Sequence, residues 1–190
     1  PNPPSPPVTP PTPRLLEHWP APDRDNPILL AQREAAETAI YLAEAAQKAG
    51  DTCIRNQLNE TNTACNLSLH RVALKMATGS GKTVVMAMLI AWQTINAVRR
   101  PGSKNFTRGF LVVTPGLTIK DRLRVLQPND PDSYYKDREL VPNDMLDDVN
   151  RAKIVITNYH AFKMRERVEL SKGGRQLLQG RLGEELTTFK

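Results

Sequence analysis

Three features of the 190-residue chain predict an α/β fold with a parallel sheet flanked by helices. Short β-rich apolar runs alternate with helical segments, and each run leads directly into a turn of uncommon composition. The first of these turns, Met76–Thr83, reads Met-Ala-Thr-Gly-Ser-Gly-Lys-Thr. In such a sheet the loops at the carboxyl ends of the strands line one edge, where ligands bind.

Pro1–Pro13 contains eight of the sixteen prolines and predicts an extended polyproline-type tail, with residues 1–25 as an irregular linker. A start on Pro rather than Met leads us to expect a piece of a longer protein. Trp19-Pro20 and Ala21-Pro22 argue against a helix across Arg14–Arg24. Asn26 is a suitable N-cap and Pro27 a suitable first residue for a helix in which Leu29, Ala36, Ile40 and Ala43 recur at helical spacing up to Gly50. Asn56–Asn66 is polar and reads as loop.

Leu67–Met76, centred on Val72 and Leu74, predicts the first strand. The next helix spans about Lys82 to Val98, and its almost wholly apolar first half predicts burial against the sheet. Gly109–Val113 predicts a strand covered on both faces, Leu117–Leu126 a helix, and Lys153–Thr157 a third buried strand. The three turns Met76–Thr83, Thr114–Leu117 and Thr157–His160 would then share one edge.

The net charge of +6 and pI near 9.5 fit a polyanionic partner without requiring one. Arg151–Lys190 has nine Lys/Arg against four acidic residues, which suits either a nucleic-acid contact or a solvated helix face. Cys53 and Cys65 lack metal-ligand spacing and read as ordinary thiols. No secretory leader pattern is visible, and the longest apolar run, Val84–Trp92, is far too short to span a bilayer. A cytoplasmic protein without membrane contact is expected.

Phosphate oxygens need several donors converging from one side. A glycine-containing strand-to-helix turn supplies backbone N–H groups and the positive end of a helix dipole. Thr78, Gly79, Ser80 and Gly81 would form that cradle. Lys82 would reach the β- and γ-phosphates of a nucleoside triphosphate, and the Thr83 hydroxyl would bind Mg²⁺. The strict G-x-x-x-x-G-K-[ST] pattern calls for glycine at position 76, where this chain has Met. An ordinary strand-to-helix turn is the competing reading.

Ala77–Thr83 resembles motif I of superfamily 2 DEAD/DEAH-type helicases and translocases. Leu111–Leu123 is similar to motif Ia of type III restriction enzyme motor subunits, and Ile154–His160 to the strand and turn around motif Ib. Gln32-Arg33-Glu34-Ala35 opens a helix where that family carries an adenine-reading glutamine. The resemblance spans Asn26–Phe162 and implies the first part of a RecA-like ATP-binding lobe, with 163–190 a basic, helical continuation. It further implies that Gln32 reads the adenine edge, and that Thr114, Pro115 and Gly116, with Thr157 and Asn158, hold DNA backbone. Each admits a plainer reading, as a solvent-facing glutamine or a strand-ending turn, and His160 reads as structural.

By the same resemblance, the parent protein would be an ATP-dependent DNA translocase or helicase. Its partners would be DNA, a second motor lobe, a nuclease domain and a methyltransferase or specificity subunit. Hydrolysis needs a carboxylate pair after a further buried strand. Asp147-Asp148 and Glu184-Glu185 both lie in polar surroundings and read as solvated faces. The fragment alone is therefore expected to bind ATP and Mg²⁺ without turning it over. A nucleotide-gated nucleic-acid-binding module and a small P-loop kinase remain open as alternatives.

Overall fold

The computed structural model describes residues 8–46, 48–65 and 69–162. Its elements run α1 (Pro11–His18), α2 (Leu30–Ile40) continuing into a π-helical turn Tyr41–Ala45, α3 (Thr52–Cys65), α4 (Lys82–Arg99), β1 (Gly109–Thr114), α5 (Leu117–Arg122), α6 (Tyr134–Asp137), α7 (Leu146–Val149) and β2 (Lys153–Asn158). The expected tail at residues 1–7 and the basic segment 163–190 lie outside the described residues.

Helix α4 forms the core. Val84, Val85, Ala87, Met88, Ile90, Ala91, Trp92 and Ile95 are all buried, so the helix needs cover on nearly every side. Leu15 and Trp19 of the N-terminal segment, Ala36 and Ile40 of α2, and Tyr135, Met145 and Val149 of α6, α7 and their flank supply it. Of residues 14–24, expected to be irregular, 14–18 belong to α1 and Trp19 is fully buried, while 20–24 are turn and irregular as expected. Pro11 at the first helical position has no N–H to lose, and Leu15 and Trp19, four residues apart, gain burial.

A buried carboxylate ties this N-terminal segment down. Glu44, in the π-helical turn, accepts hydrogen bonds from the Thr9 N–H (2.6 Å), the Thr9 hydroxyl (2.9 Å), the Thr12 hydroxyl (2.7 Å) and the Trp92 indole N–H (2.6 Å). Four donors on one carboxylate offset the cost of taking its charge out of water. At the far end of α4, Arg99 pairs with Asp148 at 2.6 Å and with Asp144 at 3.5 Å, and Arg14 also pairs with Asp144. The Arg14 hydrogen bond, with help from Arg99, holds the Asp144 carboxyl below its ordinary range.

Other local expectations change. The N-cap of α2 is Leu29, not Asn26, because the Asn26 amide donates to the Asp137 carbonyl instead. Asn56–Asn66, read as loop, mostly belongs to α3. There the Thr61 hydroxyl and Asn62 amide bond carbonyls four residues back, so polar side chains that often compete with a helix bond along it.

β1 and β2 pair in parallel, from Gly109 opposite Lys153 to Thr114 opposite Asn158. Phe110, Val112, Ile154 and Ile156 pack against the core. Leu111 and Val155, on the other face, are 58% and 59% exposed, so the expected two-sided cover is one-sided among the described residues. The predicted strand before the glycine turn is also not formed: residues 69–77 make no ladder, and 67–68 lie outside the described residues. A strand exists only through a neighbour, and β1 pairs with β2 alone among them. The Asn62 amide partly substitutes, donating to the Arg71 carbonyl (3.0 Å) and accepting its N–H (2.6 Å).

Tyr135 is buried, donates to the Leu126 carbonyl at 3.0 Å, and has its phenol pKa raised by burial. Stability linked to the neutral phenol is therefore full below an ordinary phenol pKa of about 10 and is lost as pH rises beyond it. Tyr135→Phe should cost about 1 kcal/mol at neutral pH and reduce the alkaline loss, measured by denaturant unfolding at several pH values.

Candidate functional site

The glycine turn connects residues 69–77 to α4. Gly79 (φ +82°) and Gly81 (φ +79°) adopt the left-handed region, which lets the backbone curl while α4 begins at Lys82. The Ser80 hydroxyl donates to the Ala77 carbonyl at 2.8 Å, and the Lys82 ammonium donates to the same carbonyl at 2.7 Å. Lys82 thus reaches back across the mouth of the loop from the N-terminus of an eighteen-residue helix. Thr83, the second helical residue, is half-buried.

Gln32 meets the loop from α2. It is 5% exposed; its amide donates to the Ser80 carbonyl at 3.0 Å, and its Oε1 accepts the Leu29 N–H at 3.0 Å. A Cβ added at Gly81 would sit 2.0 Å from the Gln32 amide nitrogen, whereas one at Gly79 would meet nothing within 4 Å. Gly81 is therefore required twice, by its backbone conformation and by the closeness of Gln32.

The turns after the strands lie side by side, because Thr114 and Asn158 are register partners at the carboxyl ends of β1 and β2. Thr114 is 2% exposed, and its hydroxyl donates to the Gly116 carbonyl at 2.9 Å and approaches the Thr157 carbonyl at 3.4 Å. It braces the two turns. Pro115 is exposed, Gly116 is the N-cap of α5, Thr157 is half-buried, and the Asn158 Oδ1 accepts the Ala161 N–H at 3.0 Å. The exposed His160 follows in a short 3₁₀ turn.

A cavity of about 620 Å³ lined by Thr83, Thr118, Asp121, Arg122, Arg124 and Tyr134 joins the loop to the start of α5. A second, of about 360 Å³, is lined on the loop side by Gln32, Gly79, Gly81 and Thr83 and also by Tyr134 and Arg138. The larger cavity thus runs from Thr83 to Thr118, the residue after the second turn, and the second and third turns meet at Thr114 and Thr157.

Asp148, weighed above as a hydrolytic carboxylate, is held by Arg99 at the opposite end of α4 from Lys82. At about 1.5 Å rise per residue that is roughly 25 Å from the loop. Glu184-Glu185 lie outside the described residues. Among the described residues no cluster of His, Cys, Asp or Glu is arranged to hold a metal ion, and Cys53 and Cys65 are exposed on α3.

Over residues 31–180 the chain matches the family described as type III restriction enzyme, res subunit. The chain belongs to that family. The res-subunit family has a RecA-like fold, consistent with the βαβ arrangement seen here, and comprises helicase-like, ATP-dependent motors that generally use ATP and Mg²⁺. Type III res-like proteins work with DNA and other subunits. Comparison with curated proteins and with solved structures found no match. No helix among the described residues is long and apolar enough to cross a membrane.

Reading the sequence missed Tyr134, Arg138 and Asp121 as neighbours of the loop. Tyr134 and Arg138 carry no motif, and the packing of the 123–138 segment on α4 brings them there, whereas Asp121 comes from α5, within the stretch similar to motif Ia.

Gly81→Ala should be more destabilising than Gly79→Ala. Each incurs about 1–2 kcal/mol for a left-handed alanine, but only the first also displaces Gln32. Parallel urea titrations test this, and equal losses would mean that Gln32 does not press on Gly81 in solution.

Proposed function

We propose that this chain is the ATP-binding part of a DNA-translocating motor of the type III restriction kind. The observation that carries the reading is a two-glycine left-handed turn at the N-terminus of a buried helix, with Lys82 and Thr83 as its first two helical residues. The residues fit a triphosphate. The N-terminus of α4 and the backbone from Thr78 to Gly81 offer N–H donors and a positive dipole end. Lys82 already bonds a carbonyl oxygen across the loop and exchanges it for phosphate oxygens. Thr83 is the Mg²⁺ ligand, and that ion, when bound, neutralises charge on the β- and γ-phosphates.

Gln32 serves adenine recognition with the second N–H and second lone pair left by its contacts to Ser80 and Leu29. The nucleic-acid contacts belong to the turns at Thr114–Gly116 and Thr157–Asn158. Because the Thr114 hydroxyl is directed at Gly116, we assign the phosphate contact there to exposed backbone rather than to that side chain. Such contacts hold the strand without reading its sequence. Family membership favours this motor over a small kinase. The domain division at 26–162, the cytoplasmic location and the methyltransferase or nuclease partners belong to the same proposal.

Titration of these 190 residues with ATP and Mg²⁺ should show saturable binding without turnover. Lys82→Ala should weaken that binding by about ten- to hundred-fold, the worth of one charge-assisted contact, with circular dichroism unchanged. Unchanged affinity in that variant would overturn the assignment of the loop. Binding to a single-stranded DNA oligonucleotide should fall steeply with salt, as phosphate neutralisation requires.

A further inference from the structure

The cavity beside the loop has a wall that no motif predicts. Helix α6 and the residue after it contribute Tyr134 and Arg138, whose guanidinium lies 4.6 Å from the centre of the Tyr134 ring. A cationic group thus lies over an aromatic ring in the cavity that Gln32, Gly81 and Thr83 line from the loop side.

The wall is anchored through backbone. Arg24, buried and with its pKa lowered by that burial, donates to the Arg138 carbonyl at 2.6 Å, and the Asn26 amide donates to the Asp137 carbonyl at 3.1 Å. These bonds close the carbonyl end of α6 and clamp it to the chain entering α2. The Tyr135 side chain points the other way, into the core, and fixes the rotation of α6. The Tyr134 and Arg138 side chains carry none of these anchoring bonds, so the pocket is held without them.

We propose that Tyr134 and Arg138 form the stacking wall for the base of the bound nucleotide, opposite in role to Gln32: the stack supplies affinity for a flat heterocycle, and the glutamine amide reads its edge. This rests on the loop being the phosphate site. A purine offers a π-face that stacks on phenol or guanidinium. The 360 Å³ cavity borders both Thr83, at the phosphate end, and the Tyr134–Arg138 pair. One ligand can therefore reach both.

The test uses the full chain and compares ATP, ADP and inorganic tripolyphosphate, which has the phosphates but no base. Tyr134→Ala should lower ATP and ADP affinity at least about five-fold, the lower end of what one stacked base contributes, and leave tripolyphosphate affinity within two-fold. Tyr134→Phe should retain affinity. Tyr134→Leu, which keeps apolar volume without a planar face, should behave like the alanine variant and guards against a packing artefact. Arg138→Ala should likewise weaken ATP more than tripolyphosphate; an equal loss of both would make Arg138 a phosphate contact and overturn its place in the wall. ATP affinity unchanged in both Tyr134→Ala and Tyr134→Leu, or tripolyphosphate lost in parallel with ATP, would overturn the proposal while leaving the loop assignment intact. Wild-type chain that binds neither ATP nor tripolyphosphate would overturn the loop assignment, and the wall with it.

Discussion

Helix α4 is apolar around most of its circumference, and water cannot be left against it. Full burial of one large apolar side chain contributes about 1.5–3 kcal/mol, and six of them, Val84, Val85, Met88, Ile90, Trp92 and Ile95, line this helix. The only way to cover them is to surround the helix, with α1 and α2 on one side, α6 and α7 on another, and the inward face of the sheet completing the cover. A helix held this way has its N-terminus fixed in space, and the glycine turn inherits that position. A phosphate cradle benefits from this arrangement because its donors are backbone groups whose placement is only as good as that of the helix they begin.

The polar contacts divide along the length of α4. At its C-terminal end, Arg99, Asp144, Asp148 and Arg14 form an exposed ion network that suits the negative end of the helix dipole and is worth little individually. Near its middle, Glu44 gathers four donors in a dry setting and locks the N-terminal segment against Trp92. At its N-terminal end, the Lys82 ammonium, the Ser80 hydroxyl and the Gln32 amide donate to backbone carbonyls. Those bonds are exchangeable for a ligand, whereas the Glu44 cluster is not without burying unpaired donors. The polar contacts that hold the fold and those at the proposed binding loop are thus of different kinds on the same helix.

Among the described residues the sheet consists of two strands. β1 and β2 satisfy each other and cover one face, while Leu111, Val113 and Val155 remain exposed on the other. The segment before the glycine turn has the composition of a strand and no ladder, with Asn62 supplying at Arg71 the bonds a neighbour would otherwise make. Strand propensity is a preference for a pleated, partnered surface, and among the described residues this segment has no strand beside it.

The sequence by itself determined the alternation of helix and strand from Lys82 to Asn158, the glycine-containing turn and the family, because these follow from local chemistry: apolar runs, closely spaced glycines, a lysine and threonine opening a helix. It misjudged the segments whose structure depends on distant partners. Pro11 and Pro13 looked like part of an extended tail until Leu15 and Trp19 found α4, and Asn26 looked like a cap until its amide found Asp137. Only the tertiary structure placed Gln32 against Ser80, turned the Thr114 hydroxyl inward, and brought Tyr134 and Arg138 to the loop from about fifty residues away in sequence. Packing decides which side chains meet, and no local pattern records a meeting between segments that far apart.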